Sequence, residues 1–302
     1  MGQRAQPGTS HTVDWDGPVH YVDFGGDAEG PTVVLVHGLG GSHLNWELWT
    51  PLLAPHARVL ALDLPGFGRS EPFGRRTTVQ ANVVVLRRFL GEIARRPAVL
   101  VGNSMGGMIS IFTAASTPQA VSGLVLLDPA LPGGHRTPDP VVAGHFLLYA
   151  LPFVGERFLW LRRQRRSALH RVRELLEICG VDPGDVPAEL VDRSATLVEE
   201  CQDVDGMDRA FLAAARSLVR ILIDPAAYRD AMAALTAPVL LVHGARDRLV
   251  PITAAREAAR QHPHWRYVEL ADVGHVPQLQ VPDALARQVL TWLDEAVAGD
   301  GA

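Results

Sequence analysis

The stretch "AVLVGNSMGGMIS", residues 98–110, places a lone serine between glycines at the end of an apolar run. The run at 98–104 has the composition of a buried strand, and 105–116 suits a helix, so Ser104 falls on a predicted strand-to-helix turn. The pentapeptide 102–106 fits G-x-S-x-G, in which a strained turn projects the serine hydroxyl above a sheet and the glycines avoid clashes. The stretch therefore predicts a nucleophile elbow. A glycine-rich turn that merely contains a serine is the simpler alternative.

Strand-like and helix-like segments alternate on both sides of this turn. The strand-like runs lie at 31–38, 57–66, 98–104, 122–128, 237–247 and 265–275, and the helical patterns at 43–54, 78–95, 105–116 and 282–298. The runs are continuously apolar, as is typical of strands buried on both faces of a parallel sheet. The order predicts the α/β class with a mostly parallel, doubly wound sheet. The tails at 1–12 and 299–302 are expected to be loose.

The strand pattern stops after residue 128 and resumes at 237, with helical stretches between. We expect a helical cap at 131–236, inserted into an α/β core formed by 1–130 and 237–302. Sheets of this kind bind ligands at the carboxyl ends of their strands. The cap should therefore cover the site.

A serine hydroxyl becomes a nucleophile when a base takes its proton and a carboxylate fixes that base. His275, in the loop "ADVGHVPQL" after the last strand, is the predicted base; a surface or core histidine is the simpler alternative. Asp247, in "HGARDRLVP", is the predicted carboxylate. Asp128, at the end of "LVLLD", is its rival, and otherwise a capping or turn residue. The chain order Ser104, Asp247, His275 is the one expected for hydrolases with this elbow.

Acyl transfer also needs two N–H donors that hold the developing oxyanion. Met105, directly after the serine at a helix start, is the first predicted donor. Leu39, in the loop after "VLVHG", is the second, with Gly40 as the alternative. The "HGLGG" segment is equally consistent with a turn whose glycines supply positive φ.

With these motifs in place, the chain resembles the α/β-hydrolase superfamily, in its capped, serine-nucleophile, esterase-like or lipase-like form. "VHGLGGSHLNW", "LDLPGFGRS", "VGNSMGG", "HGARDRLVP" and "GHVPQLQVP" occur in the family's order. The resemblance implies a structural turn at 63–70. The family often has Glu five residues after the catalytic histidine, where this chain has Gln280, and this puts a supporting interaction near that loop in doubt.

The serine at the elbow narrows the reaction, although the fold alone does not name a substrate. Similar dehalogenases and epoxide hydrolases use Asp as the nucleophile, which Ser104 excludes. The "GNSMGG" elbow is similar to that of carbon–carbon bond hydrolases, but their "HG-x-GPGA" loop is replaced here by "HGLGGSH". We expect hydrolysis of a carboxylic ester of a fairly apolar small molecule or lipid. Carbon–carbon or thioester cleavage is the alternative, and a non-catalytic ligand-binding protein is an alternative of another class.

The composition of the chain limits which binding partners and which cellular compartment we expect for it. The 302 residues carry a net charge of −5, which argues against a nucleic-acid binder, and all 28 basic residues are Arg. Cys179 and Cys201 fit no metal spacing and are expected to be free thiols. The chain shows no signal peptide and no membrane-length apolar run, so we expect a cytoplasmic enzyme. No metal or organic cofactor is implied, and the sequence does not indicate an oligomeric state.

The cap contains a segment of unusual composition at 145–173. Its apolar first half supplies the pocket candidates Phe146, Leu147 and Phe153, to which we add Val276 beside the predicted base. Its second half carries arginines: Arg162, Arg163, Arg165, Arg166, Arg171 and Arg173. One interpretation is an apolar lid whose basic face contacts anionic lipid surfaces or an acidic substrate. The simpler one is a packed lid with solvated arginines.

Overall fold

The structure is a computed structural model that describes residues 8–133 and 139–298. Its centre is an eight-stranded sheet with the strand order β1-β2-β4-β3-β5-β6-β7-β8. The strands are β1 (Thr9–Asp14), β2 (Pro18–Gly26), β3 (Thr32–Val36), β4 (Arg58–Leu62), β5 (Ala98–Asn103), β6 (Val121–Leu127), β7 (Val239–Gly244) and β8 (Arg266–Leu270). β2 pairs antiparallel with β1 and β4, and the remaining pairs are parallel. The predicted α/β class and mostly parallel sheet are confirmed.

Helices flank the sheet and connect β6 to β7. The described α-helices are α1 (Thr50–Leu53), α2 (Val79–Phe89), α3 (Met105–Ser116), α4 (Pro140–Ala150), α5 (Val154–Arg165), α6 (Ala168–Ile178), α7 (Ala188–Gln202), α8 (Met207–Ile223), α9 (Ala226–Ala233), α10 (Ile252–Gln261), α11 (Pro277–Gln280) and α12 (Pro282–Ala298). Six of these described α-helices, α4 to α9, lie between β6 and β7, in the segment predicted to be a cap. The single helix predicted at 43–54 is instead a 3₁₀ turn at His43–Trp46 followed by α1. Pro51 lacks the N–H that would continue a preceding helix, which explains the break.

The amino-terminal hairpin corrects one expectation. Residues 9–12 lie in β1, so the prediction of a loose tail is wrong for them; residues 1–7 and 299–302 lie outside the described residues. Five of the six β1 side chains are exposed, and the strand therefore leaves no buried apolar run in the sequence. A tight turn closes the hairpin, with Gly17 at a φ of 122° and its N–H donating to Oδ1 of Asp14 at 2.9 Å.

Apolar layers cover both faces of the central strands. On one face, Leu100 of β5 belongs to a cluster with Met108 of α3. On the other face, Val101 of β5 clusters with Trp46 and Trp292. Burial on both faces explains why these strands read as continuous apolar runs.

The helical segment that follows β6, the predicted cap, returns to the sheet through α8 and α9. Two buried hydrogen bonds fasten α8 beside the start of α2: the N–H of Val79 donates to Oγ of Ser217, and Oγ1 of Thr77 donates to the carbonyl of Ala210, both at 2.9 Å. Tyr228 of α9 belongs to the core cluster of the sheet. α9 thus occupies the place of a crossover helix between two parallel strands. The boundary at 131–236 stays a prediction.

Candidate active site

The strand-to-helix turn at Ser104 has the strained backbone that its motif predicts. Ser104 joins β5 to α3 with φ 55° and ψ −120°, a region that non-glycine residues rarely occupy. Main-chain hydrogen bonds hold it there. Its N–H donates to the carbonyl of Leu127 at 3.1 Å, and its own carbonyl accepts from the N–H groups of Gly107 and Ala130, each at 3.0 Å.

Close packing of α3 against the sheet requires the glycines around Ser104. A Cβ at Gly106 would lie 2.1 Å from the carbonyl oxygen of Val36, and one at Gly102 would lie 2.5 Å from that of Gly106. A Cβ at Gly38 would lie 3.0 Å from Cβ of Ser104. These glycines bring the backbone of β3 and its loop close to the serine.

His275 and Asp247 form a buried pair at the carboxyl ends of β8 and β7. Nδ1 of His275 lies 2.7 Å from Oδ2 of Asp247, and both side chains are almost completely buried. Oδ1 of Asp247 accepts from the N–H groups of Leu249 at 2.7 Å and Val250 at 3.0 Å, which fixes the carboxylate. Burial raises the pKa of Asp247, but the charge and hydrogen bond of His275 outweigh it, and the net pKa lies below its ordinary value.

Asp128, the rival carboxylate, follows β6 and is completely buried. Its Oδ1 accepts from the N–H of Gly244 at 2.7 Å, and its Oδ2 has no hydrogen-bond partner among the described residues. Burial and the negative charge of Asp247 raise the pKa of Asp128 well above its ordinary value. The structure thus joins His275 to Asp247 by a hydrogen bond and leaves Asp128 beside them.

Two described clusters bring the side-chain types of metal ligands together. One contains Asp128, Asp247 and His275, and the other contains His20, His43 and Asp63. In the second cluster, Oδ2 of Asp63 already accepts from Nδ1 of His20 at 2.8 Å and from Nδ1 of His43 at 2.9 Å. In the first cluster, Nδ1 of His275 and Oδ2 of Asp247 are likewise already paired with each other. The absence of a metal stays a prediction.

The loop that carries His275 is tied to the elbow and to the cap. Nδ2 of Asn103 donates to the carbonyl of His275 at 2.9 Å, and the N–H of His275 donates to the carbonyl of Cys179 at 2.8 Å. Oε1 of Gln280 accepts from the N–H of Gly274 at 2.7 Å, so Gln280 makes the support that its departure from the family pattern put in doubt. Asn103 is not identifiable from sequence, since it fills the unspecified position of G-x-S-x-G.

Ser104 and His275 line the same cavity, which has a volume of about 260 Å³ and a mostly apolar wall. Nε2 of His275 is buried and has no hydrogen-bond partner among the described residues. Leu39 lines the cavity too, and Met105 is the first residue of α3. Gly40 has the positive φ expected of a turn glycine, at 75°. The predicted nucleophile, base and one oxyanion donor thus border one space.

Of the four predicted pocket residues, two line the cavity and two do not. Phe146 and Val276 line the cavity. Leu147 is 63% exposed and Phe153 is 87% exposed, and neither lines it. α4 turns the face of Phe146 and Tyr149 inward, so Leu147 points outward, and Phe153 lies in the turn before α5. The composition of residues 145–173 identified an apolar segment, but it did not show which of its side chains face the cavity.

The arginines of the cap divide between the interior and the surface. Arg162 and Arg171 line the cavity beside Ser104 and a second, adjoining cavity of about 280 Å³. Arg165, Arg166 and Arg173 are exposed. The basic half of this segment is therefore not a single solvated face.

Comparison with known proteins places this architecture in a family. The sequence model of the alpha/beta hydrolase family matches residues 33–288. The chain belongs to the α/β-hydrolase family. In this α/β hydrolase the matched region runs from β3 into α12 and includes every predicted catalytic residue. None of its described helices is long and apolar enough to cross a membrane.

Curated relatives of this α/β hydrolase carry several activities in their names. It is 32% identical over 269 residues to a dihydrolipoyllysine-residue acetyltransferase component of the acetoin cleaving system from Cupriavidus necator, covering 89% of this chain and 64% of that one. The chain thus spans less than two thirds of that relative's length. It is 26% identical over 281 residues to 2-hydroxy-6-oxononadienedioate/2-hydroxy-6-oxononatrienedioate hydrolase 2 from Pseudomonas putida, covering 91% of each. It is also 26% identical over 266 residues to the pimeloyl-[acyl-carrier protein] methyl ester esterase of Yersinia pseudotuberculosis, covering 87% and 93%.

A solved structure shares the fold over almost the whole chain. A loop variant of a haloalkane dehalogenase from Bradyrhizobium elkanii matches this α/β hydrolase with a TM-score of 0.81 and 23% identity, covering 98% of this chain and 100% of that chain. At this identity the likeness shows the fold alone.

Proposed function

We propose that this chain is a serine hydrolase that cleaves a carboxylic ester of a fairly apolar small molecule or lipid. One observation carries the proposal: Ser104 on its strained turn and His275, bonded to Asp247 at 2.7 Å, border the same apolar cavity. A nucleophile, a base and a carboxylate that orients the base are the parts that acyl transfer requires. The similarity to a methyl ester esterase supports the same reaction class.

The reaction proceeds in two steps through an acyl-enzyme. Nε2 of His275 takes the proton of Ser104 as its oxygen attacks the ester carbonyl, and Asp247 stabilises the imidazolium. The N–H groups of Met105 and Leu39 hold the oxyanion; removing one such donor typically slows a reaction by about 100- to 1000-fold. His275 then gives its proton to the leaving alkoxide. In the second step it activates a water that hydrolyses the acyl-enzyme and releases the free serine.

A carbon–carbon bond hydrolase is the second candidate. The elbow "GNSMGG" and the 26% identity to the Pseudomonas putida hydrolase favour it. The oxyanion loop "HGLGGSH" favours ester hydrolysis instead, because it lacks the "HG-x-GPGA" pattern of such enzymes. A non-catalytic binding protein is less favoured, since serine, histidine and aspartate are all present.

A fluorophosphonate probe and a substrate panel test the proposal. We expect the wild-type protein to react with the probe at Ser104 and to hydrolyse p-nitrophenyl esters faster than a ring-fission dienone or an acyl-CoA. Ser104→Ala should lose labelling and turnover while keeping its melting temperature. Ser116→Ala, at the other end of α3, is the matched control and should behave as wild type. Turnover retained by Ser104→Ala would refute the nucleophile.

A further inference from the structure

Two guanidinium groups border the substrate cavity within a mostly apolar wall. Arg162 of α5 and Arg171 of α6 line both adjoining cavities. The apolar side chains around them include Phe146, Leu175, Leu176, Phe211 and Leu279. Among the described residues, Asp208 is the one acidic residue that lines these cavities, and it lines the second of them. Its Oδ2 lies 3.7 Å from Nη1 of Arg163. The charge on this wall is therefore predominantly positive.

The two arginines differ in their partners. Arg162 donates to Oε2 of Glu174 through Nη2 at 2.9 Å and through Nε at 3.2 Å, so its charge is paired. Arg171 has no carboxylate within 4.0 Å among the described residues. Its Nη2 makes one long hydrogen bond, 3.3 Å, to the amide oxygen of Gln202. Its Nε is buried and has no hydrogen-bond partner among the same residues.

An unpaired, partly buried guanidinium is an unfavourable arrangement unless a ligand completes it. Burial and the like charges of Arg162 and Arg163 lower the pKa of Arg171 below its ordinary value. Together they outweigh the attraction of Asp208 and Glu199, which would raise that pKa. An arginine nevertheless remains charged in a protein. A carboxylate is its natural complement, because its two oxygens can accept from Nε and an Nη in parallel.

We infer that Arg171 binds a carboxylate group of the substrate, so that the preferred ester carries a second, anionic carboxylate remote from the bond that is cut. Arg171 and Ser104 line the same cavity of about 260 Å³, which lets one small molecule contact both. Half-esters of dicarboxylic acids are the simplest substrates of this kind. The inference rests on the proposed ester hydrolysis and names its substrate class.

The test compares charged and neutral esters of equal length. Monomethyl esters of C5 to C8 dicarboxylic acids are set against methyl alkanoates, with proton release followed by a pH indicator. Acetate esters of ω-hydroxy acids form a second arm, which places the carboxylate on the alcohol side. We expect wild type to show a higher kcat/KM for at least one anionic series than for the neutral esters.

Substitutions at residue 171 assign this preference to its guanidinium. Arg171→Gln should lower kcat/KM for the preferred anionic ester by about 10- to 100-fold, the effect of losing a charged hydrogen bond. Its effect on the methyl alkanoates should be much smaller than its effect on the anionic ester, and an unchanged melting temperature shows that the variant is folded. Arg171→Lys should recover part of the loss. Arg173→Gln, exposed on the same helix, is the matched control and should equal wild type.

Product inhibition gives a second readout. A free dicarboxylate should inhibit hydrolysis of a neutral ester by wild type more strongly than a monocarboxylate of equal length, and Arg171→Gln should remove the difference. If wild type prefers the neutral esters, or Arg171→Gln slows both classes equally, the inference is overturned while ester hydrolysis stands. Failure of every ester together with absent fluorophosphonate labelling would instead overturn the proposed function.

Discussion

Asp128 follows β6 and Asp247 follows its parallel neighbour β7, so that two buried carboxyl groups meet beside one imidazole. An oxygen of each lies within 4.8 Å of the other and of a ring nitrogen of His275. Nδ1 of His275 donates its hydrogen bond to Oδ2 of Asp247, at 2.7 Å. Two adjacent buried carboxylates do not both ionise at low cost. The opposite pKa shifts therefore favour the ionised form of Asp247 and the neutral form of Asp128.

This division of roles predicts unequal effects of two matched substitutions. Asp247→Asn should lower kcat for ester hydrolysis by about 10,000-fold, because an amide no longer holds the productive tautomer of His275. Asp128→Asn has the shape of the neutral acid and should keep kcat within about tenfold of wild type. Steady-state kinetics on one p-nitrophenyl ester measures both. The reverse ranking would make Asp128 the catalytic carboxylate.

Asp63 predicts how stability depends on pH. It accepts from the ring nitrogens of His20 and His43 and from the N–H groups of His43 and Arg69. Burial raises its pKa, but the hydrogen bonds from the two histidines outweigh this and hold the pKa below its ordinary value. A depressed carboxyl pKa stabilises the fold above the pKa of the unfolded chain. That contribution is lost progressively as pH falls below about 5.

Asp63→Asn should therefore lower the free energy of unfolding at pH 7 by about 3–5 kcal/mol, the cost of breaking a buried pair. Its stability should also fall less steeply than that of wild type on acidification. Urea titrations at a series of pH values measure both effects. The exposed Asp230→Asn on α9 is the control and should follow wild type. Parallel pH profiles for Asp63→Asn and wild type would contradict the assignment.

A pair of glycine substitutions tests the packing beneath the elbow. Gly106→Ala places a Cβ 2.1 Å from a backbone oxygen of Val36, whereas a Cβ at Gly144 in α4 meets nothing within 4 Å. We expect Gly106→Ala to destabilise the fold by about 2 kcal/mol or more, since backbone must shift. Gly144→Ala should be neutral or stabilising by up to about 1 kcal/mol, because alanine favours a helix. Thermal unfolding measures the two changes, and equal melting temperatures would contradict the close approach.

The two cysteines should be unreactive in the native protein. Burial raises the pKa of Cys179 to about 12 and that of Cys201 to about 11. Because the thiolate is the reactive species, a disulfide reagent at pH 8 should modify both slowly before unfolding and completely after it. Cys201 is half-buried and should react first as pH rises. Rapid modification of Cys179 at pH 8 would contradict its buried position.

The surface of the cap tests the membrane interpretation. Phe153 and Leu147 are exposed, and so are the arginines Arg165 and Arg166 at the other end of α5. If this surface contacts lipid, hydrolysis of an ester embedded in anionic vesicles should exceed that in neutral ones and decline with salt. Phe153→Ser should reduce the difference, and Phe73→Ser, an exposed phenylalanine outside the cap, serves as control. Equal turnover with both vesicle types over the salt series would remove the interpretation.

Burial and tertiary contact explain which features sequence could predict. β5 was predictable because a strand buried on both faces must be apolar throughout, while β1 is exposed and has no such signature. The apolar runs that precede Ser104, Asp247 and His275 placed each residue after a predicted strand. The hydrogen bond between His275 and Asp247 was not predictable in the same way, because it depends on how the neighbouring strands align. Nothing local marks Arg171 as an arginine that lines the cavity without a carboxylate partner among the described residues, since that depends on how α6 packs against its neighbours.

The turn at Ser104 is held by its main chain, and its side chain takes no part in the cap of α3. The conformation of the turn therefore does not depend on a hydrogen bond from the side chain at position 104. We accordingly expect a cysteine or an aspartate to be accommodated at this position, since aspartate tolerates positive φ better than most residues. A single substitution at position 104 would then replace the serine nucleophile by a thiolate or a carboxylate. The type of reaction could thus be changed by engineering while the fold is kept.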